Sequence, residues 1–364
     1  MSYRAEFAGP RKLLIAITLV TLPLPAFCGN RWTAFGPRAT FRVSAVRSDR
    51  SDPRFLYVAC DTGVYVSGDG GEHWRQASEG LNGHAVLALE QAMGGTWVAG
   101  TDHGIFLLPA KADAWRSSNA VVNEQGTPRL IQVNGVTRWV LTHHPTRTVL
   151  DTRINAIEIA PNRWLAATSA GVYSSSDQGR IWSGGPLRGE REFIAIKAER
   201  ELVAAATLGK LLVSLDGGTV WNQTQLPSPK TIIYDLTILP DSRIFVATRD
   251  GMFRSVDGGR SWQHLINGLP PREIGSIAFD SIGKRLLAYG NTSGLVFESA
   301  DKGQNWRCLD NPGFGLQSIT ALNGRLFATT AQGLLAGPEK PQEDSAETRQ
   351  APGNWFLRLV HHSD

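Results

Sequence analysis

Cysteine and methionine are scarce in this sequence, three of each in 364 residues. So few cysteines exclude a disulfide-dense miniature scaffold and a Cys-rich metal cluster. Charge of one sign is also in short supply. The formal net charge is +4, and with no dense run of Lys or Arg a polyanion-binding surface is not expected, and neither is a nucleic-acid partner. Leu13 to Leu24 is the one long apolar run, and it falls short of the roughly twenty residues a membrane helix needs. No phosphate-cradling glycine loop and no nucleophile elbow occurs. His143 and His144, even taken with His103, lack a ligand spacing and read as solvated loop, so neither a metal nor a cofactor is expected.

Glycine is abundant, with 38 residues, which suits a chain of tight turns rather than long helices. At 42% apolar and 19% charged, the chain is too apolar for disorder. It is long enough for one large all-β domain or two ordinary ones. Arg11 and Lys12 precede the run Leu13 to Leu24, followed by Pro25, Ala26, Phe27 and Cys28. Residues 1–28 therefore read as an export signal, and the mature chain, with a formal charge of +2, is expected in the periplasm or outside the cell. Lipid attachment at Cys28 is the lesser alternative, because Phe27 stands where that processing site takes a small residue.

The strongest signal is internal repetition. The pattern Ser-x-Asp-x-Gly-x-x-Trp occurs five times: Ser67/Asp69/Gly71/Trp74, Ser175/Asp177/Gly179/Trp182, Ser214/Asp216/Gly218/Trp221, Ser255/Asp257/Gly259/Trp262 and Ser299/Asp301/Gly303/Trp306. Each copy follows a Gly and a short apolar run, as in Gly63-Val64-Tyr65-Val66, so two strands and a hairpin repeat together. Trp182, Trp221, Trp262 and Trp306 are spaced by 39, 41 and 44 residues, the length of a four-stranded propeller blade. A degenerate copy keeps only Trp115. The gap from Trp115 to Trp182 makes Val121 to Leu150 an insertion, or a shrunken extra blade.

These observations predict an all-β chain: a single propeller over residues 31–337, with seven four-stranded blades and eight as the alternative. The hairpins would join the third and fourth strands of each blade. The last repeat, Leu316 to Leu335, lacks an outer strand, which either Arg31 to Phe35 or Asn354 to Val360 would supply to close the ring. Residues 338–364 read as a polar tail. Cys60 and Cys308 would pair if early and late blades meet on closure; otherwise both are buried, inert thiols.

The hairpin has a physical reading. Its Asp carboxylate and Ser hydroxyl accept turn N–H groups, Gly supplies positive φ, and the Trp buries its ring beneath the turn. The repeats resemble the Asp-box, or bacterial neuraminidase, repeats of sialidases, xyloglucanase-type hydrolases, sortilin-type receptors and the photosystem II assembly and stability factors. The resemblance spans about Phe41 to Gly337. It implies the propeller strongly and a function weakly, because those relatives include enzymes, receptors and assembly factors.

Since each hairpin recurs, a single site is expected on the opposite face, where turns between the second and third strands meet the linkers into each blade. That rim offers Arg42, Asp61, Asp102, His103, Arg153, Arg249, Asp250 and Arg272, with His84, Lys230 and Glu273 nearby. Its arginines suit carboxylates or phosphates. The expected function is a non-catalytic, protein-binding or assembly module whose partner lies in the envelope or outside the cell. The alternative is an exo-glycosidase of sialidase type, which the resemblance would build from Arg42, Arg153, Arg249, Tyr234 and Asp61, with carbohydrate as ligand. Phe41-Arg42-Val43-Ser44 matches the Arg of that family's Phe/Tyr-Arg-Ile-Pro start and departs from its Ile and Pro.

Overall fold

The computed structural model describes residues 32–37, 41–123, 126–133, 136–143 and 146–337. Every regular element among them is a strand. Seven four-stranded antiparallel sheets follow one another, and their first strands neighbour each other around a closed ring. Those inner strands are Val43–Ser48, Val86–Gln91, Ile154–Ala160, Ala195–Glu199, Ile233–Ile238, Ile274–Asp280 and Leu316–Leu322. The chain is a seven-bladed β-propeller.

In six blades all four strands are consecutive; in the seventh, the outer strand is Thr33–Phe35, antiparallel to Gly333–Ala336. The N-terminal candidate thus closes the ring, and Asn354 to Val360 lies outside the described residues. The eight-blade alternative fails at the insertion. There Ala120–Asn123 pairs with Thr146–Val149, and Gly126–Val133 pairs with Val136–His143. These form two two-stranded ladders and no four-stranded sheet.

Second strands such as Trp97–Thr101, Leu202–Ala206 and Ile244–Thr248 are buried at every residue. A neighbouring sheet covers each face, so the polar alternation of a half-exposed strand disappears. Outer strands such as Arg75–Gln76 and Arg116–Ser117 are two residues long and exposed, and edges so short and polar resist pairing with other chains.

A tryptophan stands immediately before the outer strand in all seven blades: Trp74, Trp115, Trp182, Trp221, Trp262, Trp306 and, in the seventh, Trp32. Each packs into a core shared with the preceding blade. Trp221 joins Leu165, Ala167 and Val172 of blade three, and Trp32 joins Leu287, Tyr289 and Val296 of blade six. Trp182 is fully buried, and its indole N–H donates to the Ser118 carbonyl oxygen at 2.9 Å. Removing a ring of that size from water is worth about 4–6 kcal/mol, against about 1 kcal/mol for a typical hydrogen bond. The tryptophans therefore dominate the joints between blades.

The five repeated hairpins share one geometry. The hydroxyls of Ser67, Ser175, Ser214, Ser255 and Ser299 donate to Asp69, Asp177, Asp216, Asp257 and Asp301 at 2.6–2.8 Å. Each hydroxyl also accepts an N–H at 2.8–2.9 Å, from Gly71, Gly179, Gly218, Gly259 and Gly303 in turn. The Asp carboxylate then accepts N–H groups further along the turn, as Asp301 does from Gln304 and Asn305 at 2.9 Å.

The expected positive φ is present at all five hairpin glycines, and at four of them close packing adds a second constraint. At Gly71 the φ is +103°, and a Cβ there would also lie 2.1 Å from the Phe35 ring of blade seven. The same double constraint holds at Gly179, Gly259 and Gly303. A Cβ on them would lie 2.8 Å from the Trp164 ring, 3.1 Å from Val213 and 2.6 Å from the Phe245 ring respectively. Val213 and Phe245 belong to the preceding blade, so Gly259 and Gly303 let neighbouring sheets approach closely. Gly218 differs. Its Cβ would make an ordinary contact with Trp221 at 3.4 Å, and there the positive φ alone calls for glycine.

Neither alternative for Cys60 and Cys308 holds in full: the two do not pair, and only Cys60 is a free thiol. Cys60 is a buried free thiol, whereas Cys308 is disulfide-bonded. Cys60 is committed elsewhere, because its Sγ donates to the Gly63 carbonyl oxygen at 3.3 Å within its own turn.

Candidate functional site

Two repeated local devices shape the face opposite the hairpins. The first ends the second strand of several blades. Thr101, Thr168, Thr248 and Thr330 each donate from Oγ1 to the carbonyl of the Gly three residues on, at 2.8–2.9 Å. Each also accepts the N–H two residues on, at 3.0–3.1 Å. Such side-chain bonds fix a tight turn and present the two residues at its tip. In blade one, Cys60 takes the threonine's place, and burial pushes its thiol pKa up.

The second device is a β-bulge. In six inner strands the ladder slips by one residue near its start, between Val43/Ala45, Val86/Ala88, Ile154/Ala156, Ile233/Asp235, Ile274/Ser276 and Leu316/Ser318. A bulged residue is turned out of the pairing and re-aimed. The six are Ser44, Leu87, Asn155, Tyr234, Gly275 and Gln317, and with Ile194 of blade four they form a ring around a cavity of about 390 Å³ at the channel mouth. Some also stitch neighbouring blades together: Ser44 Oγ donates to the Val86 carbonyl at 2.6 Å and Asn155 Nδ2 to that of Phe193 at 2.7 Å.

Arg42, Asp61 and Arg153 line the same cavity, as does Tyr234. The two arginines are held alike. Arg42 Nε donates to Gln317 Oε1 at 3.1 Å, and Arg153 Nε donates to Asn155 Oδ1 at 2.9 Å. Each guanidinium is tethered through its inner nitrogen to an amide of the bulge ring. Among the described residues neither has an acidic partner within salt-bridge distance, so the outer N–H fork of each remains for a carboxylate or phosphate.

The other candidates gather elsewhere on the rim. Arg249 Nη2 donates to the Lys230 carbonyl at 3.2 Å, and its Nε lies 3.8 Å from Asp250. Asp250 accepts from Ser228 Oγ at 2.5 Å, which with Arg249 and Arg272 holds its pKa below the usual range. These three charges do not line the mouth cavity. Asp102 and His103 form a third group with His84 and Asp151, in which the Asp151 hydrogen bond raises the His103 pKa. The residue set fitted to a sialidase is therefore split, with Arg249 apart from Arg42 and Arg153. Desolvation, followed by Glu273, raises the Tyr234 pKa, which disfavours the phenolate a nucleophilic tyrosine must supply.

A second cavity of about 360 Å³ adjoins the mouth and shares Ser44, Leu87, Asn155, Ile194 and Asp235 with it. Its first layer is Ala45, Ala88, Ala156, Ala195, Asp235 and Ser318, which with Ser276 occupy one register position and are all small except Asp235. The next layer holds two ion pairs, Arg47–Glu90 at 2.5 Å and Lys197–Glu158 at 3.0 Å. None of the hairpin residues, Gly179, Gly218, Gly259 and Gly303 included, lines either cavity. Sequence reading found the turns and the mouth arginines but missed the bulge ring and these layers. One signal was available: in every inner strand the ring residue directly precedes the small residue, or Asp235, of the first layer.

No protein-family model matches the chain. A stretch of 152 residues is 28% identical to the photosystem II assembly lipoprotein Ycf48 of Prochlorococcus marinus, covering 39% of this chain and 43% of that relative. The chain thus matches less than half the length of that curated relative. Among solved structures, Ycf48 bound to a D1 peptide superposes with a TM-score of 0.60 at 16% identity, over 87% of this chain and 99% of the other. The chain shares the Ycf48 fold. The extracellular domain of a B. thetaiotaomicron one-component system is similar too, with a TM-score of 0.61 and 14% identity over 84% of this chain and 40% of its own. The Ycf48 structure is matched along nearly its whole length, whereas the B. thetaiotaomicron extracellular domain is matched over a part.

Proposed function

We propose that the chain is a non-catalytic, secreted or periplasmic propeller that binds a partner protein through the channel mouth and assists its assembly into a complex. Residues 1–28 would be the export signal and residues 31–337 the binding domain. The observation that carries this reading is the pair of guanidinium groups, Arg42 and Arg153, tethered through Nε and open at their outer N–H groups in one cavity. Such a pair suits acidic side chains or a terminal carboxylate of an extended protein segment. The Ycf48 relatives, one named an assembly lipoprotein and one bound to a peptide, support the same class of function.

The test is site-specific photo-crosslinking in the native host. A photoreactive residue replacing Tyr234 is expected to capture a discrete protein, and one replacing Val256, on the hairpin face, is expected not to. Adding Arg42→Ala and Arg153→Ala should abolish the adduct while melting temperature stays unchanged. Equal capture from both faces, or none from the mouth, overturns the proposal. Release of a fluorogenic sialoside by the purified chain would instead establish the exo-glycosidase alternative.

A further inference from the structure

The second blade carries a pair of histidines that the mouth does not use. His84 lies in the linker entering that blade, and His103 lies in the turn after its second strand. They stand nineteen positions apart, so no ligand spacing shows in the sequence. The fold sets the two rings 5.3 Å apart, centroid to centroid, with planes inclined at 43°.

Each imidazole is oriented by its own carboxylate. His84 Nδ1 lies 3.1 Å from Asp102 Oδ1, and His103 Nδ1 lies 2.9 Å from Asp151 Oδ1. With both Nδ1 atoms occupied, each neutral ring carries its hydrogen on that nitrogen and keeps the Nε2 lone pair for another use. Carboxylate–histidine pairs are the arrangement by which proteins fix the tautomer and orientation of imidazoles that ligate metals. The spacing fits as well. Two rings bound through nitrogen at about 2.0–2.1 Å to one tetrahedral ion have centroids roughly 5 Å apart.

The supports are rigid. His103 N–H is bound by Thr101 Oγ1 at 3.1 Å, and Gly104 N–H is bound by the Thr152 carbonyl at 2.9 Å, which ties the turn to the segment carrying Asp151. Phe106 packs on His84 with centroids 5.7 Å apart. The His84 and His103 side chains are 29% and 60% exposed, so an ion can enter and complete its shell with water. The exposed trio Asp69, Glu72 and His73 differs, because its Asp69 carboxylate is consumed by hairpin N–H groups.

We infer that His84 and His103 form an open binding site for a divalent transition-metal ion of the zinc class, with Asp102 and Asp151 as positioning residues. Its test uses the full chain stripped with chelator and titrated with zinc chloride at neutral pH. One ion per chain is expected in the micromolar range. His84→Gln and His103→Gln should each weaken binding by at least about tenfold, and Asp151→Ala by about 10–100-fold. His73→Asn should leave it unchanged. Copper(II) bound to the wild-type chain provides a reading that does not depend on variants folding, since its electron paramagnetic resonance spectrum should show two coordinated imidazole nitrogens. Fewer than two nitrogens, no uptake at millimolar zinc, or wild-type affinity in the folded His84→Gln and His103→Gln chains overturns the inference.

Discussion

The ring of Phe35 meets the ring of Trp74 edge-on, with centroids 6.0 Å apart and planes at 90°. Phe35 belongs to the outer strand of blade seven and Trp74 to the anchor of blade one, so this contact joins the last sheet to the first. Phe35 also packs against Phe327 at 5.3 Å, and the Arg325 guanidinium lies 5.0 Å from the Phe35 ring centroid. The strand that completes the seventh sheet is thus held by side chains as well as by its ladder.

Phe35→Ala is expected to cost about 3 kcal/mol, the low end for truncating a phenylalanine, because the ring is only half-buried. Gly71→Ala should cost at least as much, since its Cβ would displace Phe35 and its positive φ strains any other residue. Urea denaturation measures both. An unchanged midpoint in Phe35→Ala would show that the ring does not depend on this closure.

Acid should act on the hairpins. Hydrogen bonds from Ser261 hold the Asp257 carboxyl at about 2. Asp301 also sits at about 2, where bonds from Asn305, Ser299 and Gln304 outweigh partial desolvation. Asp69 lies lower still, through the His73 N–H and the Ser67 hydroxyl. A carboxyl depressed on folding stabilises the native state above its unfolded value of about 3.9, and that contribution is lost as pH falls through the folded value. Melting temperature should therefore drop between pH about 4 and about 2, and Asp257→Asn should show a shallower drop. A flat profile over that interval would contradict the role given to these carboxylates.

The two described cysteines should behave differently towards thiol reagents. Cys60 is buried and free, and burial raises its thiol pKa, so alkylation is expected only after unfolding. In the full-length chain Cys308 is in a disulfide, so there it should alkylate only after reduction. Peptide mapping by mass spectrometry with and without reductant distinguishes them, and a Cys60–Cys308 cross-linked peptide would refute the assignment.

The ring was legible because its signal is periodic. Five identical hairpins and evenly spaced tryptophans mark the blades, and their hydrogen bonds are local enough to be read from residue type. The close approach of the next blade to Gly259 and Gly303 was not, because it depends on which residues of another sheet face them. Trp32 was equally visible as a residue but not as the seventh anchor, because it stands at the start of the chain while its blade lies at the end. The mouth was half-legible. Arg42 and Arg153 occupy linkers that the repeat itself identifies, whereas Gln317 and Asn155, which orient them, sit on bulges that shift the alternation by one residue and are marked only by the small residue that follows each. The separation of Arg249 from the mouth, and the meeting of His84 with His103, depend on side-chain directions that no spacing encodes.

Asp235 allows a sharper test of the channel. It occupies the layer that is otherwise Ala or Ser, and its carboxylate joins blade five to blade six: Oδ2 accepts from Ile277 N–H at 3.0 Å and Ser276 Oγ at 3.1 Å, and Oδ1 accepts from Leu236 N–H at 2.8 Å. Ser276 Oγ in turn accepts from Ile319 N–H of blade seven at 3.2 Å. Burial nevertheless raises the Asp235 pKa, outweighing these bonds and the charge of Lys197. A carboxyl raised on folding contributes fully below its unfolded pKa of about 3.9, and its ionisation costs stability as pH rises from there towards the folded value. Asp235→Asn keeps an acceptor and removes the ionisation, so its stability relative to wild type should improve as pH rises above about 4. Asp235→Ala leaves the Ile277 N–H unpaired and should lose about 1–3 kcal/mol. Denaturation of the three chains across this pH range decides the matter, and a difference between Asp235→Asn and wild type that is independent of pH would show that Asp235 carries no proton-linked cost.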